Sequence, residues 1–480
     1  MKKHVSILLI FVLLMSLSGC RKKPTNQRGD DSEMIELTYY KMYDDEDVLA
    51  PLISDWSLKN NVIIHYKKFA DFDEYLRTIL NEMAEGEGPD IFSMPNNWFM
   101  SNYKKISPLT DDFAPEGYRI TDAFSEMFVD VAAKDLIRPD EKGVDQVYGL
   151  PMTVDTLALY YNKDYFEDRL PSQGRPSKTW DGINDDVLQL NRYNEDTNDF
   201  QLSGIAMGRG DNISRGVDIL YLLFLQFGVE FYNENISQSI FAQRQNNLQY
   251  LGLDALDLLT SFADINNKHY SWNEYVIDDE TEGKEELAFA RGDVAMIVGF
   301  SYTYDNIVNY IKLLESDNED SISKNDIYVT QIPQLEDPDL SSSKRVTYAN
   351  YFVETVSRNC EYPELAWDLL VNLTQKDSLD HYFKETHRPT SRRDMIEEQQ
   401  KDSTYGVFAS QIGFAESFPV LDHYIYKDLF SQIINSATSS STSQVGLVYA
   451  QDAINNLLPE EGLMPAIKPS DEEEEEEDED

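Results

Sequence analysis

From Ile35 onward, short apolar runs alternate with amphipathic stretches. Ile35 to Tyr40 reads as a strand, the acidic loop Tyr43 to Asp47 follows, and Leu49, Leu52, Ile53 and Trp56 then share one helical face. Val62 to Tyr66 predicts a second strand, and Phe72, Leu76, Ile79, Leu80 and Met83 mark a second amphipathic helix. Gly86, Gly88 and Pro89 stop that helix before a short strand at Ile91 and Phe92. Such alternation predicts an α/β lobe with its functional loops at the strand ends, here Tyr43-Asp44 and Met94 to Trp98.

The second half repeats the pattern with more apolar helices. Thr179-Trp180-Asp181 begins a helical region, Asp218 to Phe227 is apolar enough for a buried helix, and Leu253 to Phe262 continues as helix. Gly292 ends another helix before a buried strand, Val294 to Val298, and an aromatic loop carrying Phe300, Tyr302 and Tyr304. Arg345 to Val353 alternates like a strand, and Pro363 opens a helix with Leu365, Leu369, Leu370 and Leu373 inward.

The stretch Tyr148 to Phe166 stands apart. Gly149 and Pro151 break what precedes, and Leu157, Leu159 and Tyr161 then alternate in a run rich in strand-formers. Asp155 lies between break and strand, where an ionised group is costly unless water or a polar ligand satisfies it. Two readings stand: a crossing between lobes with Asp155 facing the gap, or a turn aspartate capping local amides. The loop Asn96-Asn97-Trp98, read as exposed, suits a sugar, since an indole face covers C–H groups while amides meet hydroxyls. Its alternative is a core Trp98 beside turn-shaping asparagines. The loop Gly208 to Asn212 is a further candidate through Asn212, although its scattered glycines form no phosphate cradle.

Composition narrows the classes. A chain of 480 residues is too long for one core, and a net charge of −46 repels nucleic acid. Two cysteines, Cys20 and Cys360, argue against a disulfide framework, and Cys360 reads as a buried or half-buried thiol. Lys2 and Lys3 precede an apolar run, Val5 to Leu17, too short to span a bilayer and laid out as a secretory signal. Leu17-Ser18-Gly19-Cys20 resembles a bacterial lipobox, in which Cys20 is acylated and a lipid holds the chain to the membrane. The acidic tail at 469–480 reads as disordered by self-repulsion.

The run Gly149 to Phe166 resembles the inter-lobe crossing of family 1 extracellular solute-binding proteins, the maltose- and oligosaccharide-binding receptors of ABC transporters. Four further stretches look like that family: Gly88 to Phe99, Glu286 to Tyr302, Arg345 to Val353, which resembles its second crossing and would place Tyr348 and Asn350 near the gap, and Glu364 to Met395. The resemblance implies a two-lobe periplasmic-binding-protein-like α/β fold of type II, with three inter-lobe crossings and a ligand cleft. The chain then divides into a signal (1–19), a lipidated tether (20–33), an N-terminal lobe (34–151 and 353–400), a C-terminal lobe (152–349 and 405–460) and the tail. The third crossing falls near Tyr405. The candidate ligand-binding residues are Tyr43, Asp44, Asn96, Asn97, Trp98, Asp155, Asn212, Phe300, Tyr302, Tyr348 and Asn350, with Trp272, Tyr424, Tyr426 and Arg388 as weaker ones. The implied function is binding a sugar or oligosaccharide and handing it to a membrane permease by hinge closure, as a lipid-anchored monomer on the extracytoplasmic side.

No H-E-x-x-H, C-x-x-C, G-x-S-x-G or Walker loop occurs, and the six histidines form no metal pair. No cofactor, metal or enzymatic activity is expected. A surface-anchored carbohydrate hydrolase is the alternative, because its two acids can come from distant positions. A receptor for a polyol, glycerol phosphate or polyamine is another.

Overall fold

The computed structural model describes residues 34–463 apart from 198, 247, 277–283 and 438–439. Cys20, the signal, the tether and the acidic tail lie outside the described residues.

Apolar periodicity at the N-terminal end builds a five-stranded sheet in the order Val62–Phe69, Ile35–Met42, Ile91–Pro95, Phe352–Val356, Leu150–Pro151. The first three strands run parallel, and the last two add antiparallel to their neighbours. The helix Phe72–Glu85 starts where Asp71 accepts a 2.6 Å hydrogen bond from the Glu74 amide, and ends at Gly86, whose φ of 78° only glycine adopts without strain. Leu37, Ile91, Phe124, Leu150, Val353 and Trp367 belong to one apolar core.

A second core holds Leu159, Trp180, Leu222, Leu256, Ile297 and Phe430. Its sheet places Ala158–Asn162 centrally, antiparallel to both Met296–Gly299 and Ile327–Thr330. Helices Gly216–Phe227, Leu251–Ser261, His423–Ser436 and Ser440–Asn455 enclose it.

The chain passes between the cores in three regions. Val154 lies in the first core and Leu157 in the second; Tyr348 lies in the second and Ala349 in the first. Between lie short strands at Asp155–Thr156, Thr347–Asn350 and Ala415–Glu416, which pair as a three-stranded hinge sheet. The third passage is longer than a single crossing near Tyr405. Tyr405 and Phe408 dip into the second core, Ile412 and Ala415 return to the first, and Phe418 leaves it again. Gly149 is required just before the first passage, because a Cβ there would sit 2.2 Å from Val353 Cγ1.

The inter-lobe cleft as candidate ligand site

Asp155 begins the hinge sheet, its backbone paired with Asn350. The expectation that its carboxylate stands open to the gap is corrected: the residue is 7% exposed, and its oxygens accept from the Ser301 hydroxyl at 2.6 Å, the Ser301 amide and the Thr156 amide. Burial pushes its carboxyl up to about 6 against the pull of those hydrogen bonds and of Arg388. It therefore ties the crossing to the turn before helix Thr303–Asp317.

Tyr302, in the same turn, keeps 37% of its surface exposed. Desolvation is nonetheless the largest cause raising its phenol, ahead of opposing Arg215. The Arg215 guanidinium sits 6.0 Å from the centre of its ring and pairs with Asp218 at 3.2 Å. Glu286, close by, is pushed by burial and by Glu285 up to about 7, while Asn306 donates to it.

The first lobe meets the second at an aromatic cluster. Trp98 packs its ring 5.1 Å from Phe72, and both meet His423, at the start of a second-lobe helix, at 6.1 and 5.3 Å. Burial and Lys427 push His423 down to about 4, so the imidazole is neutral between these rings. The Tyr424 hydroxyl donates to Asp73, a second contact between the lobes. Asp44 receives Arg388 at 2.6 Å, the Tyr382 hydroxyl at 2.7 Å and Lys41 at 3.3 Å. Burial pushes the Asp44 carboxyl up, but Lys41 and Arg388 outweigh it and hold the group below the usual carboxylate range.

The remaining candidates divide. Tyr43 is exposed, with a φ of 66° and its ring edge-on to Phe352 at 5.8 Å. Asn350 is half-buried in the hinge sheet. The asparagine pair is a correction, for it forms no exposed loop. Asn96 donates to Asp135 and accepts from the Tyr351 amide, and Asn97 is buried beneath Val420, whose amide bonds its carbonyl. Asn212 is likewise consumed internally, bonded to Trp272 Nε1 and to the Asn273 carbonyl. Phe300, Tyr348, Trp272 and Tyr426 are core residues, because each ring fills second-lobe packing space that no polar surface could fill. Sequence reading passed over Arg215, Phe72, Glu286 and His423: Arg215 and Glu286 come together within the second lobe, and Phe72 and His423 meet between the lobes. Arg215 ends a loop and His423 starts a helix, and neither position carries a local signal. Cys360 is half-buried, its thiol pushed by burial up to about 12.

Two α/β lobes, a three-stranded hinge and an aromatic and charged cleft define a two-lobe binding protein. The chain belongs to the bacterial extracellular solute-binding protein family, whose model matches residues 54–407. Solved structures of the same fold include an ABC transporter solute-binding protein from Thermotoga lettingae bound with α-D-tagatose, at a TM-score of 0.64 and 18% identity over 88% of this chain and 99% of that one. A sugar-binding MalE from Xanthomonas citri aligns with a TM-score of 0.67 and 13% identity over 88% and 97%. An ABC substrate-binding protein from Listeria monocytogenes in complex with cycloalternan aligns at 0.64 and 15% over 88% and 99%. The periplasmic-binding-protein-like fold is thus the fold of this chain. Among the described residues no helix is long and apolar enough to cross a membrane, and no cluster of potential metal ligands occurs.

Proposed function

We propose that this chain is the substrate-binding lipoprotein of an ABC importer, taking a sugar or oligosaccharide between its lobes and delivering it to a membrane permease by closing at the hinge. The observation that carries the reading is the chemistry gathered where the lobes meet: Trp98 and Phe72 of the first lobe packed against His423 of the second, and the part-exposed ring of Tyr302 beside Arg215. Aromatic faces cover sugar C–H surfaces while guanidinium donors meet hydroxyls, and a ligand touching both lobes drives closure through that double contact. The sugars named for the structural neighbours agree with this class.

Lipid on Cys20 would hold the protein on the extracytoplasmic face of the membrane as a monomer. The test is a melting screen with tagatose, maltose, maltotetraose, mannobiose and cycloalternan. A ligand at 100 times its dissociation constant adds about 2.7 kcal/mol of stability. Recovery of the saccharide unchanged after prolonged incubation separates a receptor from a hydrolase. Loss of the membrane fraction in Cys20→Ser tests the anchor.

A further inference from the structure

Arg388 is built like a recognition group. It follows the end of helix Lys376–Thr386, two residues before Thr390 bridges to Thr153 of the first crossing. Its neighbour His387 stacks on Tyr405 at 4.7 Å, and Tyr405 in turn meets Tyr304, two residues beyond Tyr302. Arg388 therefore stands where the first lobe meets the floor of the cleft, and its charge is felt at Asp155.

Only one terminal nitrogen is used internally. Nη1 donates to Asp44 at 2.6 Å and to the Tyr382 hydroxyl at 2.9 Å, while that hydroxyl donates to the other oxygen of Asp44. Among the described residues Nε and Nη2 donate to nothing, and 28% of the side chain remains exposed. Asp44 is itself buried and held by Lys41, so the clamp is rigid. A guanidinium fixed at one corner with two parallel N–H groups left over is preorganised for two adjacent oxygen acceptors.

We infer that Arg388 is a ligand-contacting specificity residue that presents Nε–H and Nη2–H to a pair of adjacent oxygens on the bound saccharide, with Tyr382 and Asp44 as positioning residues acting through it. The inference rests on the receptor reading above. The paired oxygens belong either to neighbouring hydroxyls of a neutral sugar or to the carboxylate of a uronic acid. Asp44 already balances the charge of Arg388, which favours hydroxyls.

The experiment measures wild type, Arg388→Lys, Arg388→Gln, Tyr382→Phe and the double variant Arg388→Gln/Tyr382→Phe. Each is titrated with the neutral saccharides of the melting screen and with digalacturonate and glucuronate. Lysine keeps the charge and loses the fork, so Arg388→Lys weakens binding about tenfold to a hundredfold. Tyr382→Phe weakens it by several-fold in the wild-type background and costs nothing more in the Arg388→Gln background. A role of Tyr382 confined to packing would give the same loss in both backgrounds and would overturn its assignment. Tight binding of neutral saccharides alone assigns the hydroxyl pair, and binding of uronates alone assigns the carboxylate. Arg388→Lys binding within about twofold of wild type refutes the inference while leaving the receptor reading intact. Wild type that binds no member of the panel removes both.

Discussion

The Ser301 hydroxyl donates to the Asp155 carboxylate at 2.6 Å, so that the first crossing between the lobes is fastened to the turn that carries Tyr302. Whatever Tyr302 touches is thereby mechanically connected to the hinge.

That fastening carries a pH signature. Asp155 is pushed from 3.8 up to about 6 by burial. Between those values the folded protein holds a proton that the unfolded chain has released, so this contribution is present below pH 4 and is lost as pH rises through 6. Its size is about 3 kcal/mol at most. Asp155→Asn should therefore gain melting temperature relative to wild type as the pH is raised from 4.5 to 7 in calorimetric scans. A difference that stays constant across that range would show that Asp155 does not carry the proton.

His423 should act with the opposite sign. Burial between Phe72 and Trp98, with Lys427 near, pushes it down to about 4, so its folded state prefers the neutral ring. Stability is full above the ordinary histidine value near 6.5 and is lost as pH falls towards 4, by about 3 kcal/mol at most. Because the partners of the ring belong to the opposite lobe, protonation should also part the lobes. Small-angle scattering of the unliganded protein should show expansion as the pH falls from 6 through 4 in wild type and none in His423→Phe.

The first lobe contains a buried ionic network. Lys41 donates to Glu354, which also receives the Tyr39 hydroxyl at 2.6 Å and the Ser93 hydroxyl at 3.0 Å. Lys41→Met leaves Glu354 buried without its cation and Asp44 with Arg388 alone, and should cost about 3 to 5 kcal/mol. Urea melts would report it as a lower midpoint, and an unchanged midpoint would mean that the network is already neutral.

Gly149→Ala places a methyl group 2.2 Å from Val353 Cγ1, where the first crossing leaves its sheet. Overpacking of this kind costs about 1 to 3 kcal/mol. The loss should appear in thermal melts with no change in saccharide affinity at low temperature, since the methyl points into the sheet and away from the cleft.

Much of the fold was legible in local periodicity. The apolar positions Leu49, Ile53 and Trp56 lie inward on helix Glu46–Asn60, and the alternation at 157–161 falls on the central strand of the second lobe's sheet. The passage at 152–157 was legible because Gly149 and Pro151 interrupt the apolar pattern there, and the one at 346–352 because the strand Arg345 to Val353 resembles the family's second crossing. The third was placed near Tyr405; Tyr405 and Phe408 enter the second core, and nothing local reveals that Ile412 and Ala415 go back.

Residue type and spacing by themselves determined two α/β cores, where the chain breaks between them, and the polar and aromatic residues near those breaks. Only the tertiary structure decided which of those side chains have a free surface. Asn96 and Asn212 spend themselves on neighbours 39 and 60 positions away, Asp135 and Trp272, and the Tyr348 ring is packed between Tyr221 and Phe418, 127 and 70 positions away. Arg388, by contrast, keeps two donors because Asp44, 344 positions distant, binds just one corner of it. Hydrogen-bond capacity is a property of an atom, but what remains of it after folding depends on partners that no sequence window contains.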